Sequence, residues 1–508
     1  MKYIIKDDKE IYQKVRKMSN DELICAVTCP EYGADKLELY RNTGAVFFHP
    51  TDDETLKKRV KDVNENRDLP ALLAIDVEAG AGFLESRTKI SSMWACGCTN
   101  SEETAYKLGE ITAVESTKFG LQWGFGPCVD ILGNTDNPVI LNRCPGNDPE
   151  LVCKIGKAVM QGMQDNGMIA AAKHFPGDGY DSYDPHLTLS VNPLSFEEWK
   201  NSFGMIYTEL INAGVKSIMP GHISLPSYDD IDPETGVCRP ATLSKKLLTN
   251  LLKNELGFEG IIVTDAVNMG GFCGYMERTK ACATFLECGG DMLLFVQPTE
   301  KFLADMNKLI DENYLKRETL IDRAYRVLCF AKEHRCCAKH LQYDKEEYQK
   351  VADKITEEGI VVERNRKNVI PYSINANTKI LYNIISAQGK TDFDDSMLHE
   401  LGNITKYVDV IEDVGPDNTG RKIMENDYDL IICSVTIKTG YGIGTTRLSG
   451  VVARNMMGGW QKLGTPAVFI TNSHSFKHEC VVIADTIINT HGYVPNTAKY
   501  VVKKITGK

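Results

Sequence analysis

The sequence predicts an α/β protein, a (β/α)8-type TIM barrel followed by a smaller α/β sandwich domain, and three observations predict it. From about residue 40 to 300, short apolar runs alternate with longer, more polar, helix-like stretches, the rhythm of parallel strands joined by helices. Polar and titratable residues follow almost every run on the same side, as they do where a barrel gathers the carboxyl ends of its strands. From about residue 370 the rhythm restarts, and 508 residues exceed one ordinary hydrophobic core.

In chain order, the expected barrel strands are the apolar runs at 44–48, 71–75, 121–125, 168–172, 215–219, 261–263 and 291–295, with an eighth around 24–28. Helices are expected over 102–119, 149–166, 195–213 and 244–255, with Ser195 and Ser244 as N-caps. Ala324, Val327, Leu328 and Ala331, at helical spacing, close the barrel and lead into the charged stretch 344–354. The organisation is therefore a catalytic barrel at 1–340, a helical linker at 341–370 and an α/β sandwich at 371–508, with strands at 378–385, 429–434, 466–470 and 479–485. The glycine-rich segment Thr439-Gly440-Tyr441-Gly442-Ile443-Gly444 lacks the Gly-Lys-Ser/Thr of a phosphate loop and the full dinucleotide spacing, and is expected to be a plain loop.

Composition excludes several function classes. A net charge of −11 with scattered basic residues argues against a nucleic-acid surface. The start, Met1-Lys2-Tyr3-Ile4-Ile5-Lys6-Asp7-Asp8, lacks a signal-peptide apolar core, and no later run is long enough to cross a bilayer, so no membrane partner is expected and the predicted location is cytoplasmic. The 16 cysteines are expected to be reduced and mostly buried. Cys25/Cys29, Cys96/Cys98 and Cys336/Cys337 do not form the paired Cys-x2-Cys units of a structural zinc site, so neither a metal nor a cofactor is expected.

The densest chemistry lies in Lys173-His174-Phe175-Pro176-Gly177-Asp178-Gly179-Tyr180-Asp181-Ser182-Tyr183-Asp184-Pro185-His186, where an apolar run stops in titratable groups. Asp76 and Glu78, Asp130, Lys173 and His174, His222, and Asp265 follow five consecutive runs. Taken singly, Asp265 could be a helix cap, Lys173 and His174 a buried ion pair, and His222 a core histidine. Together they predict a pocket for a ligand rich in hydroxyls or anions. A strand-end carboxylate serves as nucleophile or electrostatic stabiliser, and Asp184-Pro185-His186 offers a proton donor and acceptor tuned by its neighbour, a pairing that suits glycosyl transfer. Gly177 and Gly179 would let the loop close over a sugar.

Residues 1 to about 340 resemble the barrel of glycoside hydrolase family 3, in its β-N-acetylglucosaminidase branch. That branch carries Lys-His-Phe-Pro-Gly-x-Gly followed by Asp-x-His, which Lys173 to Gly177, Asp184 and His186 match in register. The resemblance implies that Asp265, after Val263-Thr264, is the nucleophile of a retaining double displacement and that His186, paired with Asp184, is the acid/base. It also implies that Asp76, Arg143 (in Asn142-Arg143-Cys144-Pro145-Gly146-Asn147-Asp148-Pro149), Lys173 and His174 hold the sugar; His222 joins the substrate-binding set as a strand-end residue. The expected substrate is a small glycoside or oligosaccharide with terminal β-linked N-acetylglucosamine, in recycling of cell-wall or chitin fragments. Phosphate is a credible acceptor beside water, because a neutral histidine repels an incoming anion far less than a carboxylate base would.

Two departures bear on which sugar and aglycone fit. The family's Asp-Gln-Glu-Gly-Gly-Arg-Val-x-Arg becomes Asp76-Val77-Glu78-Ala79-Gly80-Ala81-Gly82-Phe83-Leu84, which removes both arginines and leaves Arg87 as the nearest replacement. Asp178 stands for the usual histidine, and Ser190 for a frequent proline. Other readings of the same residues are a Schiff-base lysine at Lys173, a β-glucosidase, and a sugar-binding relative without turnover. The Schiff base leaves Asp265 and the Asp184/His186 pair without roles, and a mere binder needs neither.

Overall fold

The computed structural model describes residues 1–508 apart from 68, 83, 335–342, 387, 413–415, 438–441, 443, 447, 449–453, 455–459, 461–462 and 473–483, and apart from the side chains at 35, 416 and 417. The chain divides into two compact units, the first made of 1–88, 101–133 and 144–348, the second of 89–100, 134–143 and 349–508.

In the first unit, eight short parallel strands follow one another: β1 Thr28–Cys29, β2 Ala45–Phe47, β3 Leu72–Asp76, β4 Trp123–Phe125, β5 Ile169–Phe175, β6 Ser217–Pro220, β7 Ile261–Ile262 and β8 Leu293–Leu294. β2 to β7 pair in chain order, and β1 pairs with β8. Single parallel bridges, Glu31 to Phe47 and Val263 to Met292, join these two sets into a closed ring. Alternate residues point inward, as a two-residue period requires, so Ala45, Phe47, Leu72, Ala74, Trp123, Phe125, Ile169 and Ala171 share one core, which Phe330 of the helix Arg317–His334 also enters. The barrel is a packed interior with its chemistry at one rim.

Local sequence explains the connecting helices. Asp148 accepts the Glu150 N–H with Pro149 at the first helical position of Pro149–Asp165, and Ser101 caps Glu102–Thr117. Ser195 is the N-cap expected of it and forms a capping box with Glu198, and Ser244 Oγ accepts the Leu247 N–H; the two helices that follow widen into π turns at Lys200–Gly204 and Lys246–Glu255. The strand expected at 24–28 is corrected: Ser19 and Glu22 form a capping box that makes Asn20–Ala26 helical, and the strand begins at Thr28.

In the second unit, a six-stranded sheet runs in the order β9 Val361–Asn365, β14 Thr486–Asn489, β13 Ala467–Thr471, β12 Leu430–Thr436, β10 Ile380–Ser386 and β11 Val408–Glu412, with only β9 antiparallel. Ile380, Tyr382 and Ile384 pack with Met397, Leu401, Val501 and Ile505 of the helices Asp392–Gly402 and Thr497–Thr506, whereas Leu381 and Ile385 pack with Ile423 and Trp460. Both faces of β10 are thus buried, the mark of an α/β sandwich. Most of the run expected at 479–485 and most of the segment 439–444 lie outside the described residues. Among the described residues no helix is long and apolar enough to cross a membrane, and no disulfide joins the cysteines.

At the amino ends of β7 and β8, Asp291 has no exposed surface and accepts from the Ile262 N–H at 2.9 Å and from Arg326 Nε at 2.8 Å. Burial would raise its pKa, but Arg326, Lys253 and Arg323 outweigh burial and hold the carboxyl at about 2. A folded value below the unfolded one means that Asp291 contributes stability above the ordinary carboxylate range, lost as pH falls towards about 2. Asp291→Asn should lower unfolding stability by about 3–5 kcal/mol at pH 7 in urea titrations, with the deficit shrinking as the wild type is acidified.

Candidate active site

The carboxyl ends of β3 to β7 each deliver polar side chains to the rim. Lys173, in β5, keeps only 4% of its side chain exposed, and its ammonium pairs with Asp76 Oδ1 at 3.1 Å and Glu78 Oε1 at 2.7 Å. A buried cation is tolerable only when so compensated. Next along the strand, His174 directs Nδ1 to Asp130 Oδ2 at 2.7 Å and Nε2 towards Asp265 Oδ2 at 3.9 Å. Asp130, fully buried, also takes N–H bonds from His174 (3.2 Å) and Asp178 (2.8 Å) and the Cys128 thiol (3.0 Å). Burial opposes its charge, but His174 and these donors hold its pKa below the usual value, so it acts as an acceptor and assigns the hydrogen to Nδ1 of His174.

Asp265 follows β7. Its backbone N–H donates to the Pro220 carbonyl at 3.2 Å, and Oδ1 accepts the Ala266 N–H at 2.7 Å. Burial alone would raise its pKa, yet its electrostatic interactions with His174, His222 and His186 and the Ala266 N–H together lower it, leaving an ionised carboxylate at neutral pH. His222 is fully buried with both ring nitrogens engaged, Nδ1 at 3.0 Å from Thr242 Oγ1 and Nε2 at 3.0 Å from the Ala266 carbonyl. Burial lowers its pKa, with Asp265 opposing, and the ring packs behind Asp265.

The loop after β5 carries the Asp184/His186 pair. Gly177 and Gly179 both adopt positive φ (123° and 106°) as the chain leaves the strand. Asp181 fastens the loop's two ends, Oδ2 accepting Ser190 Oγ at 2.8 Å and the Val191 N–H at 2.6 Å, and Ser190–Val191 pairs with Ile223–Ser224 beyond β6. Asp184 Oδ1 accepts both from His186 Nδ1 (2.7 Å) and from the His186 N–H (2.9 Å). A buried carboxylate thereby fixes a half-exposed imidazole with Nε2 on the far side of the ring.

The loop is seated by the segment that follows Asp265. Gly270 N–H donates to the His186 carbonyl at 2.8 Å and Gly271 N–H to the Pro185 carbonyl at 3.0 Å. A Cβ at Gly270 would lie 2.4 Å from the Leu187 carbonyl oxygen, and one at Gly271 2.9 Å from that of Thr188, so only glycine lets the two backbones meet.

Of the residues expected from sequence, Asp76 and Lys173, His174 and Asp265, and Asp184 and His186 therefore meet as pairs at one rim. Arg143 lies in the second unit, on the turn Leu141–Arg143, its guanidinium donating to the Val139 carbonyl at 3.3 Å. Arg87 donates from its guanidinium to the Ala79 carbonyl at 3.4 Å. Asp130, which the sequence shows only as a polar residue after a strand, proves to orient His174, and the Glu78 partnership with Lys173 carries no separate sequence signal. Cys128, Asp130 and His174 are the one described cluster of metal-ligand type, within 4.8 Å of one another. Their direct contacts of 3.0 and 2.7 Å are hydrogen-bond distances, shorter than the roughly 3.3 Å between ligand atoms around a tetrahedral zinc.

The Glycosyl hydrolase family 3 N terminal domain matches residues 39–330. A beta-N-acetylglucosaminidase/beta-glucosidase of Cellulomonas fimi is 26% identical over 97% of this chain and 92% of its own length. A beta-hexosaminidase of Hydrogenovibrio crunogenus is 32% identical over 47% of this chain and 67% of its own. Among solved structures, the beta-glucoside phosphorylase BglX superposes with a TM-score of 0.90 at 27% identity, covering 100% of this chain and 95% of that one.

Gly270→Ala should unseat the 184–188 loop while leaving the barrel folded. The expected readout is faster hydrogen exchange at residues 270 and 271 with little change in melting temperature; unchanged protection would mean the loop docks by other contacts.

Proposed function

This chain belongs to glycosyl hydrolase family 3, and from that premise we propose that it is a retaining glycosidase acting on terminal β-linked N-acetylglucosamine through a covalent glycosyl-aspartate. The observation that carries the reading is a pair of groups: an ionised Asp265 at the barrel rim, and an imidazole at His186 held by Asp184 on the loop seated beside it.

In the first step an Asp265 carboxylate oxygen attacks the anomeric carbon. The bond from that carbon to the leaving oxygen breaks, and the leaving oxygen keeps the electron pair and takes the proton carried by His186 Nε2. In the second step the acceptor hydroxyl returns a proton to the now neutral His186 as its oxygen bonds to the anomeric carbon and displaces Asp265. Two inversions give net retention. Lys173, held between Asp76 and Glu78, is a fixed donor for sugar hydroxyls, with Asp76 accepting from them; His174, oriented by Asp130, faces the same space. Arg143 is assigned to the sugar by motif. His222, with both nitrogens used, contributes by holding the Ala266 carbonyl beneath Asp265. A cytoplasmic setting, where the buried cysteines stay reduced, belongs to the same proposal.

The N-acetylglucosamine preference is supported by the names of the matched relatives, one of which also names glucose. A second reading of the acceptor, phosphate in place of water, is favoured by the imidazole base, which is neutral when the anion arrives. The full-length likeness to a phosphorylase supports it too.

Asp265→Asn should abolish turnover. His186→Ala should cost about 10²–10⁴-fold on unactivated glycosides and far less in the first step on dinitrophenyl glycosides, whose leaving oxygen needs little protonation; equal losses on both would remove His186 from the role of acid. Anomeric NMR of the product, with and without phosphate, tests the rest: a retained sugar marks the double displacement, a sugar 1-phosphate marks phosphorolysis, and an inverted product rejects the glycosyl-aspartate. Since Asp265 is held below the ordinary carboxylate value, the acid-side loss of kcat/KM from its protonation should set in at lower pH than for an ordinary aspartate.

A further inference from the structure

Resting on the assignment of His186 as the acid, we propose that Tyr183 and Leu187, which flank it on the loop, form the platform that receives the aglycone, and that this platform selects aglycones presenting an uncharged, apolar face.

The first argument is geometric. A general acid must come within hydrogen-bond reach of the leaving oxygen, so the first atoms of the aglycone lie against the residues beside that acid. Here the backbone that carries those residues is fixed. The inward side of the loop is taken by Asp184, whose side chain is 1% exposed, and by buried Pro185. The backbone is pinned twice, by Gly270 and Gly271 from below and by the Leu187 and Thr188 N–H groups bonding back to the Asp184 carbonyl at 2.9 and 3.0 Å. Tyr183 and Leu187 are consequently held outward, each 57% exposed.

The second argument is chemical. Single exposed apolar residues are ordinary on protein surfaces, and what sets these two apart is their place on the loop that carries the proton donor, Leu187 next to it in sequence and Tyr183 three residues before it. Around them the loop shows Ser182, His186 and Thr188 to solvent, while the carboxylate of Asp184 is turned in and that of Asp181 is engaged with Ser190 and Val191. The surface on offer is an aromatic ring and a branched alkyl group with no acidic or fixed cationic group between them. Such a surface gains by covering apolar area and offers nothing to a charged aglycone. An aryl or alkyl group and the C–H face of a second sugar ring both present that chemistry.

The test compares kcat/KM on three β-glycosides of whichever sugar is turned over: the glycosyl fluoride, which has no aglycone body, the 2,4-dinitrophenyl glycoside, and a β-linked disaccharide. In Tyr183→Ala, Leu187→Ala and the double variant, the ratio of dinitrophenyl or disaccharide to fluoride should fall by about five- to tenfold, as expected for losing apolar contact in a pocket. A fall confined to the dinitrophenyl arm identifies an aryl aglycone, and a fall confined to the disaccharide a sugar face. Because dinitrophenol leaves without a proton, the first of these ratios is insensitive to small shifts of His186. Tyr183→Phe, which keeps the ring, should hold the ratios; a fall as large as with alanine would overturn the apolar platform in favour of the hydroxyl. Unchanged ratios in the double variant would also overturn it. No turnover of any of the three by the unaltered protein would overturn the glycosidase reading itself and take the platform with it.

Discussion

Asp130 has no exposed surface, and an ionised carboxylate so placed would cost several kcal/mol if its lone pairs were left empty. Four donors fill them: the His174 ring, the His174 and Asp178 backbone N–H groups and the Cys128 thiol. One group therefore sets three things at once. It fixes the backbone where β5 leaves the barrel, it aims the His174 ring at Asp265, and it anchors Asp178, where the loop towards His186 begins. Lys173, beside His174, is compensated by Asp76 and Glu78 in the same manner. The rim is a chain of mutually satisfied charges, and the position of each is a condition for burying the next.

The barrel's other end solves a similar problem to a different purpose. Asp291 is as buried as Asp130, but its partners are the Arg326 and Arg323 guanidinium groups and the Ile262 N–H. At the rim, Asp265 and His186 retain partial exposure, at 17% and 25% of their side chains, so the same electrostatic means that stabilise one end are left accessible at the other. This division is the one expected of parallel barrels, whose strand starts serve stability and whose strand ends serve chemistry.

Much of this was legible in the sequence, and the failures have physical causes. Apolar runs ended by polar residues located seven of the barrel strands, because a strand buried on both faces must be continuously apolar. The eighth was misplaced by a few residues because Leu23, Ile24 and Ala26 are buried on a helix, and burial alone does not separate helix from strand over so short a run. β9 and β11 escaped notice altogether. Both are edge strands, Val-Val-Glu-Arg-Asn and Val-Asp-Val-Ile-Glu, whose charged residues interrupt the apolar run. Within the site, Lys173, His174, Asp184 and His186 stood out as neighbours in sequence, and Asp265 as a strand end. What sequence could not supply were the partnerships across the fold: Asp130 with His174, Glu78 with Lys173, and the glycine pair beneath the loop.

That glycine pair makes no use of the identity of the side chains above it. The loop is held by the carbonyls of residues 185 and 186, groups that every amino acid carries, and by the inward carboxylate of Asp184. Positions 183, 187 and 188 can therefore change without loosening the seat, and the spacing between the two ends of the proposed reaction would survive the change. Such a fixture lets selection explore new substrates at little risk to the chemistry, and a lineage carrying it can be expected to diverge first in what it accepts and last in what it does.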